Sequence, residues 1–244
     1  MDKNRRLESE KEFHNETFSK NTRAAVKKYY RAANTSKEKY RTLISEDIRD
    51  KKVLEYGCGP GSAAFDLAKL GANVTAIDIS DVAIEMAQKK AAEEGLNIAF
   101  HVMDAEDLDF EKDTFDLICG SGILHHLNLE ESYKELNRTL QPNGKAIFFE
   151  PLGHNPVINI YRTLTPKMRT DDEHPLLMED IEKAKSYFSE VKTFHFNLTS
   201  TAASFLPFLS NSLQNFDEWL FKNIPGLKKY SWIVVLQFSK PIKT

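Results

Sequence analysis

Cysteine is scarce in this chain: 244 residues hold two, Cys58 and Cys119. One lies in a glycine-rich stretch and one in an apolar run, which makes no disulfide framework, so a reducing compartment is expected and the cytoplasm is the simplest. Long apolar runs are missing as well. None approaches the ~18 residues of a membrane-spanning helix, so at most a peripheral membrane contact is expected. The opening MDKNRRLESEKEF has no apolar segment of the kind a secretory signal needs. Positive charge is not in excess either, because 33 Lys and Arg stand against 36 Asp and Glu for a net charge of -3. A protein that grips nucleic acid through its phosphates needs a basic field, so nucleic acid is not an expected partner. Cys/His clusters at zinc spacing are lacking, and the adjacent His125 and His126 cannot both face one ion from a helix or a strand, so no metal is expected.

What remains is 41% hydrophobic and 28% charged residues, a composition suited to one domain spanning 1–244 with a sizeable core. Its most informative stretch is residues 53–61, VLEYGCGPG, which reads as a buried strand running into a glycine-rich turn and then a helix. Glycines at 57, 59 and 61 let a ligand approach the main chain closely. The dinucleotide pattern G-x-G-x-x-G would place its third glycine at position 62, where Ser62 stands. Glu55 supplies an acid beside the turn, better suited to an ammonium than to a diphosphate. About twenty residues on, a second strand over 73–78 ends in Asp78, placed to accept hydrogen bonds from ribose hydroxyls. A third strand ends at Asp104, and a fourth, from residue 115, opens into Gly120, Ser121 and Gly122.

Strands and helices alternate from residue 53 to residue 150, the pattern of a parallel sheet covered on both faces. The helix after Ser80 carries Ile84, Ala87 and Ala91 on one face, and the helix from about Leu129 carries Tyr133, Leu136 and Leu140. Pro142, Asn143 and Gly144 are expected to stop the chain and turn it into a fifth strand over 145–150. Two more strands are expected over 191–198 and 231–238.

Residues 51–151 as a whole resemble the class I S-adenosylmethionine-dependent methyltransferases, in particular the small-molecule branch similar to quinone-biosynthesis (type 11) methyltransferases. The resemblance rests on Glu-x-Gly-x-Gly-x-Gly, the strand ending in Asp78, the pair Asp104 and Ala105, SGILHHL over 121–127 and LQPNGKAIFFEP over 140–151. It implies an α/β fold: a seven-stranded, mostly parallel, doubly wound Rossmann-like sheet with an antiparallel last strand and helical lid segments. It implies S-adenosylmethionine as cofactor and S-adenosylhomocysteine as product, held by the loop Glu55, Gly57, Cys58, Gly59 and Gly61. Asp78 would take the ribose, Asp104 the adenine amino group, Ile79 and Ala105 the adenine faces, and the Ser121 backbone the sulfonium end.

Residues 1–50 read as a helical lid in which Tyr30 folds over the cofactor or packs on the sheet edge. Residues 152–177 and 200–229 read as acceptor-side insertions, the second apolar enough to favour an aromatic or lipophilic small molecule. Methyl transfer from a sulfonium needs collinear placement of acceptor, methyl and sulfur, and a base only where the acceptor must lose a proton. The candidate bases are His154 and His125. His126, Glu150, Tyr161, Arg162 and Arg169 are candidate acceptor contacts, the arginines because a guanidinium fork suits an anionic group. Oxygen is the first expected acceptor atom, with nitrogen and carbon as alternatives. An amino-directed nucleic-acid methyltransferase would carry Asp/Asn-Pro-Pro-aromatic after the fourth strand, where this chain has Ser121, Gly122, Ile123 and Leu124. A nicotinamide dehydrogenase would share two strands but not the glycine spacing, and a non-catalytic cofactor binder remains the last alternative. No sign of a particular oligomeric state is present.

Overall fold

Val53 and Leu54 are adjacent, fully buried, and members of two different apolar clusters. Successive strand residues point to opposite faces, so this strand must be covered on both sides. The computed structural model of the chain describes residues 3–20, 33–61, 63–164, 175–204 and 207–243. Its elements run α1 (Lys3–Lys20), α2 (Asn34–Ser45), β1 (Lys52–Tyr56), α3 (Ala63–Lys69), β2 (Asn73–Asp78), α4 (Asp81–Glu93), β3 (Ile98–Val102) and β4 (Phe115–Ser121). After a 3-10 turn at Leu124–His126 come α5 (Leu129–Thr139), β5 (Leu140–Pro151), α6 (Pro156–Leu164), α7 (Met178–Lys183), β6 (Phe188–Phe196), α8 (Ser210–Asn223) and β7 (Ile233–Pro241).

The seven strands form one sheet in the order β3-β2-β1-β4-β5-β7-β6. β1 to β5 pair in parallel, and β7 is antiparallel to both of its neighbours. The expected mostly parallel sheet with an antiparallel last strand is therefore present, with one refinement. β7 is inserted between β5 and β6, which explains why Ile233 to Phe238 are all buried while β6 is only half-buried along its length. Chain order reverses between β1 and β4, and ligands of open α/β sheets bind at the carboxyl ends of strands flanking such a point.

Helices are placed by caps and apolar stripes. Ser80 Oγ accepts from Ala83 N at 3.0 Å to start α4, whose Ala83, Ile84, Ala87 and Ala91 are buried. Asn128 Oδ1 accepts from Glu130 N and Glu131 N to start α5, which buries Leu129, Tyr133 and Leu136. Leu140, expected on that helix, is the first residue of β5 instead. Pro142, Asn143 and Gly144 do not separate helix from strand: pairing passes from Phe115↔Leu140 to Leu117↔Lys145, so they form a bulge inside β5.

β6 is antiparallel to β7, and β7 to β5, so β6 runs in the direction of β5 and releases the chain at the same edge. Residues 197–232 therefore leave from the carboxyl edge of the parallel strands. Asp217 ties this segment down, accepting from Leu198 N, Thr199 N and Ser200 N and from the hydroxyls of Thr199 and Ser200. Phe221 is buried beneath it, while Phe208 and Trp219 are exposed. Among the described residues, no helix is long and apolar enough to cross a membrane.

Candidate functional site

The loop after β1 is built by main-chain hydrogen bonds to carboxylates. Gly57, Gly59 and Gly61 adopt φ of 63°, 54° and 98°, the left-handed region that side chains disfavour. A Cβ at Gly57 would also lie 2.7 Å from Ile123 Cδ1. Glu55, 1% exposed, accepts from Ala63 N through Oε1 and from Ala64 N through Oε2, both at 2.8 Å. These are unpaired donors of the first turn of α3, so Glu55 caps that helix and pulls the loop against the strand. Glu55 therefore sits under the loop and shapes it. Cys58 is buried, its N–H donates to Ile77 O at 2.9 Å, and burial pushes its thiol well above the usual range.

Asp78 joins two loops. Its Oδ2 accepts from Gly59 N at 2.7 Å and its Oδ1 from Ser80 N at 2.9 Å, so the ends of β1 and β2 are locked together. Ile79 follows it, half-buried. At the end of β3, Asp104 Oδ1 accepts from Glu106 N at 2.9 Å and Oδ2 pairs with Lys3 Nζ at 3.1 Å. Ala105 is buried and its carbonyl accepts from the Tyr56 hydroxyl at 3.0 Å. Ser121 is exposed at the end of β4, followed by Gly122 at φ 67°. The expected cofactor residues among the described ones thus line the carboxyl edge on both sides of the β1/β4 switch.

A second group forms where β4 and β5 end. Glu150 is fully buried; its Oε1 accepts from Ile123 N and Leu124 N at 2.9 Å each, and its Oε2 lies 2.7 Å from His125 Nδ1. A carboxylate only accepts, so His125 Nδ1 donates and the lone pair of a neutral ring resides on Nε2. Sequence reading treated His125 and Glu150 as separate candidates, and the structure makes them one dyad. The His126 ring lies against His125 with centroids 4.2 Å apart.

Other expectations move. His154 Nε2 accepts from Met178 N at 3.3 Å, which occupies the lone pair a base needs, so His154 fastens the loop after β5 to the start of α7. Arg162 donates from Nη1 to Leu152 O at 3.3 Å and to Asn159 Oδ1 at 3.0 Å, contacts that hold the chain after β5. Tyr30, Arg169 and the side chain of Tyr161 lie outside the described residues.

Within residues 1–50, expected as a lid, α1 meets the edge through several side chains. Asn15 donates to Asp81 Oδ1 at 2.9 Å and accepts from Ser80 Oγ, Lys11 pairs with Asp81 at 2.9 Å, and Lys3 reaches Asp104. Phe18 lies 3.5 Å from where a Cβ of Gly59 would be. Arg6 makes two contacts to the buried carboxylate of Glu106 and donates to His126 O at 3.0 Å. Glu10 and His14 face His126. The one sequence signal for this last group was their spacing of four, which puts both on one helix face.

Residues 53–144 match the methyltransferase domain family. The chain is 34% identical over 109 residues to a ubiquinone biosynthesis O-methyltransferase of Coxiella burnetii, covering 44% of this chain and 46% of the relative. It is 33% identical over 131 residues to a demethylmenaquinone methyltransferase of Chlorobaculum parvum, covering 50% and 53%. The chain thus spans about half the length of the curated relatives it matches. Among solved structures, a phosphoethanolamine N-methyltransferase of Haemonchus contortus, in complex with phosphomonomethylethanolamine and S-adenosylhomocysteine, shares the fold with a TM-score of 0.60 at 17% identity, over 82% of this chain and 52% of that one. The glycine loop, Asp78 and the β1/β4 switch point all lie within the stretch that matches the methyltransferase domain family, and this core is similar to the quinone-biosynthesis methyltransferases.

Proposed function

We propose that the chain transfers the methyl group of S-adenosylmethionine to a hydroxyl oxygen of a small aromatic or lipophilic acceptor, with His125 as general base and Glu150 orienting it. The observation that carries this reading is the 2.7 Å contact between His125 Nδ1 and Glu150 Oε2 at the edge where the glycine loop also lies. In the proposed step the hydroxyl proton passes to His125 Nε2 as the oxygen bonds to the methyl carbon and the sulfur–carbon bond breaks. S-adenosylhomocysteine leaves as a neutral thioether. A positioned histidine contributes typically ~10²–10⁴-fold to such a transfer. Asp78 and the Gly57–Gly61 backbone are proposed to hold the cofactor, with Asp104, Ile79 and Ala105 around its adenine and Ser121 near its sulfonium. The oxygen preference is supported by the quinone-type O-methyltransferase to which the core is similar.

The test is calorimetric titration with S-adenosylmethionine, with NAD as control, followed by turnover of phenolic and catecholic acceptors by wild type and His125→Ala. Cofactor binding that survives in His125→Ala, with turnover reduced at least ~10²-fold, supports the reading. Full turnover by the variant removes the base, and binding of NAD alone removes the cofactor.

A further inference from the structure

The strongest feature that methyl transfer leaves unused is the joint between α1 and the turn after β4. Glu10 and His14 are one helical turn apart on the same face of α1. They meet His126, the last residue of the 3-10 turn Leu124–His126. His14 Nε2 lies 3.3 Å from Glu10 Oε2, His126 Nδ1 lies 3.4 Å from the same oxygen, and all three ligand atoms fall within 4.8 Å of one another. The three side chains are 14%, 9% and 7% exposed for His14, His126 and Glu10, so the group is shielded from bulk water.

Two imidazole nitrogens and one carboxylate oxygen are a borderline donor set that suits zinc and its first-row neighbours. At metal–ligand distances of ~2.0–2.2 Å, neighbouring ligands of a tetrahedral ion stand ~3.3–3.6 Å apart. Both contacts of Glu10 Oε2 have that separation, and the two imidazole nitrogens lie within 4.8 Å of each other. A site with three protein ligands also leaves a position for water or another oxygen ligand. The joint is held from outside the donor set, because Arg6, one turn before Glu10, donates to His126 O at 3.0 Å and pairs with Glu106.

We propose that Glu10, His14 and His126 form a binding site for a divalent transition-metal ion, with zinc as its prototype, that staples α1 to the turn carrying His125. This does not depend on the acceptor or on methyl transfer. Sequence reading found no zinc spacing because the donors come from positions far apart in the chain and one of them is a glutamate.

The test titrates zinc chloride into the purified chain against a chromogenic zinc chelator, for wild type, His14→Ala, His126→Gln and His101→Ala. His101 is exposed on β3 and serves as the control. The expected result is one zinc per chain at or below about 1 μM, weakened ~100-fold in His14→Ala and in His126→Gln and unchanged in His101→Ala. Hydrogen exchange in α1 should slow on adding zinc to wild type only. His14→Ala lies on a surface helix, and circular dichroism checks its fold; His126→Gln reads the site from its other side. Absence of zinc binding, binding by His14→Ala and His126→Gln as tight as that of wild type, or its loss in His101→Ala overturns the proposal.

Discussion

The cradle after β1 and the cover laid over it by α1 are both rich in charged groups, yet they are held in opposite ways. In the cradle, carboxylates meet backbone N–H groups: Glu55 takes Ala63 N and Ala64 N, Asp78 takes Gly59 N and Ser80 N, and Glu150 takes Ile123 N and Leu124 N. In the cover, side chain meets side chain, as Lys3 with Asp104, Arg6 with Glu106 and Lys11 with Asp81. A carboxylate bonded to fixed amides has a position dictated by the fold, whereas a pair of long side chains is ordered at an entropic cost and is screened by salt. The geometry of the cradle is set by the main chain, and the cover is attached to it through side chains.

If that contrast is right, the largest single effect should come from removing a carboxylate that holds both backbone and a reacting group. Glu150→Gln turns an NH2 toward either the Ile123 and Leu124 amides or the His125 ring. Turnover should fall ~10²-fold or more, with cofactor affinity little changed. His154→Ala, by contrast, should keep nearly wild-type turnover and lose only loop order. Steady-state kinetics of the two variants side by side decide the matter, and equal losses would dissolve the distinction drawn between the two histidines.

Next in size is Glu55→Gln, which sets a donor against one of the two α3 amides. Leaving a buried donor unsatisfied costs about 1–3 kcal/mol. Urea unfolding should show that loss, and cofactor affinity should weaken with it because the glycine loop hangs from the same residue. A variant that loses affinity with full stability would return Glu55 to direct contact with the ligand.

The same contrast decides what could be read in advance. Cradle geometry is local: φ signs select glycine at 57, 59 and 61, the strand period places Asp78 and Asp104 at strand ends, and Ser80 and Asn128 mark helix starts. Each of these signals lies within a few residues of what it specifies, so the sheet and its ligand edge were legible. β7 between β5 and β6 was only half legible, since strand order depends on pairing over about ninety residues and not on any window. The cover was legible as a helix but not as contacts. Nothing near Arg6 names Glu106, and nothing near Glu10 names His126. A histidine beside a strand end looks the same in sequence whether it faces a substrate or an amide, and His154 meets the amide Met178 N.

On β6, His195 offers a pH-dependent version of the comparison. Burial, with Lys228 nearby, lowers its pKa from 6.5 to about 4. Its ring lies 3.0 Å from both Ser231 Oγ and Thr193 Oγ1, and it borders a small cavity also lined by Asp217 and Glu218. Above pH 6.5 neither folded nor unfolded chain carries the proton. Between 6.5 and 4 the unfolded chain binds it and the folded chain does not, so stability falls as pH drops, by up to about 3 kcal/mol at ~1.4 kcal/mol per unit. Denaturation midpoints across that window should fall less steeply for His195→Gln than for wild type. Parallel curves would mean that the ring is solvated in the folded chain.

The smallest expected effect tests the cover itself. Lys11 pairs with Asp81 at 2.9 Å with the two side chains 37% and 54% exposed, and such pairs contribute little because water and ions compete for both charges. Lys11→Ala should leave global stability nearly unchanged. Its consequence should be confined to α1, whose amides should exchange faster at low salt, with the difference from wild type shrinking as ionic strength rises. Asn15 still bonds Asp81 and Ser80 in the variant, so the helix stays seated. If Lys11→Ala instead lowered stability as much as Glu55→Gln does, the cover would be part of the rigid frame, and the division between a main-chain cradle and a side-chain cover would fail.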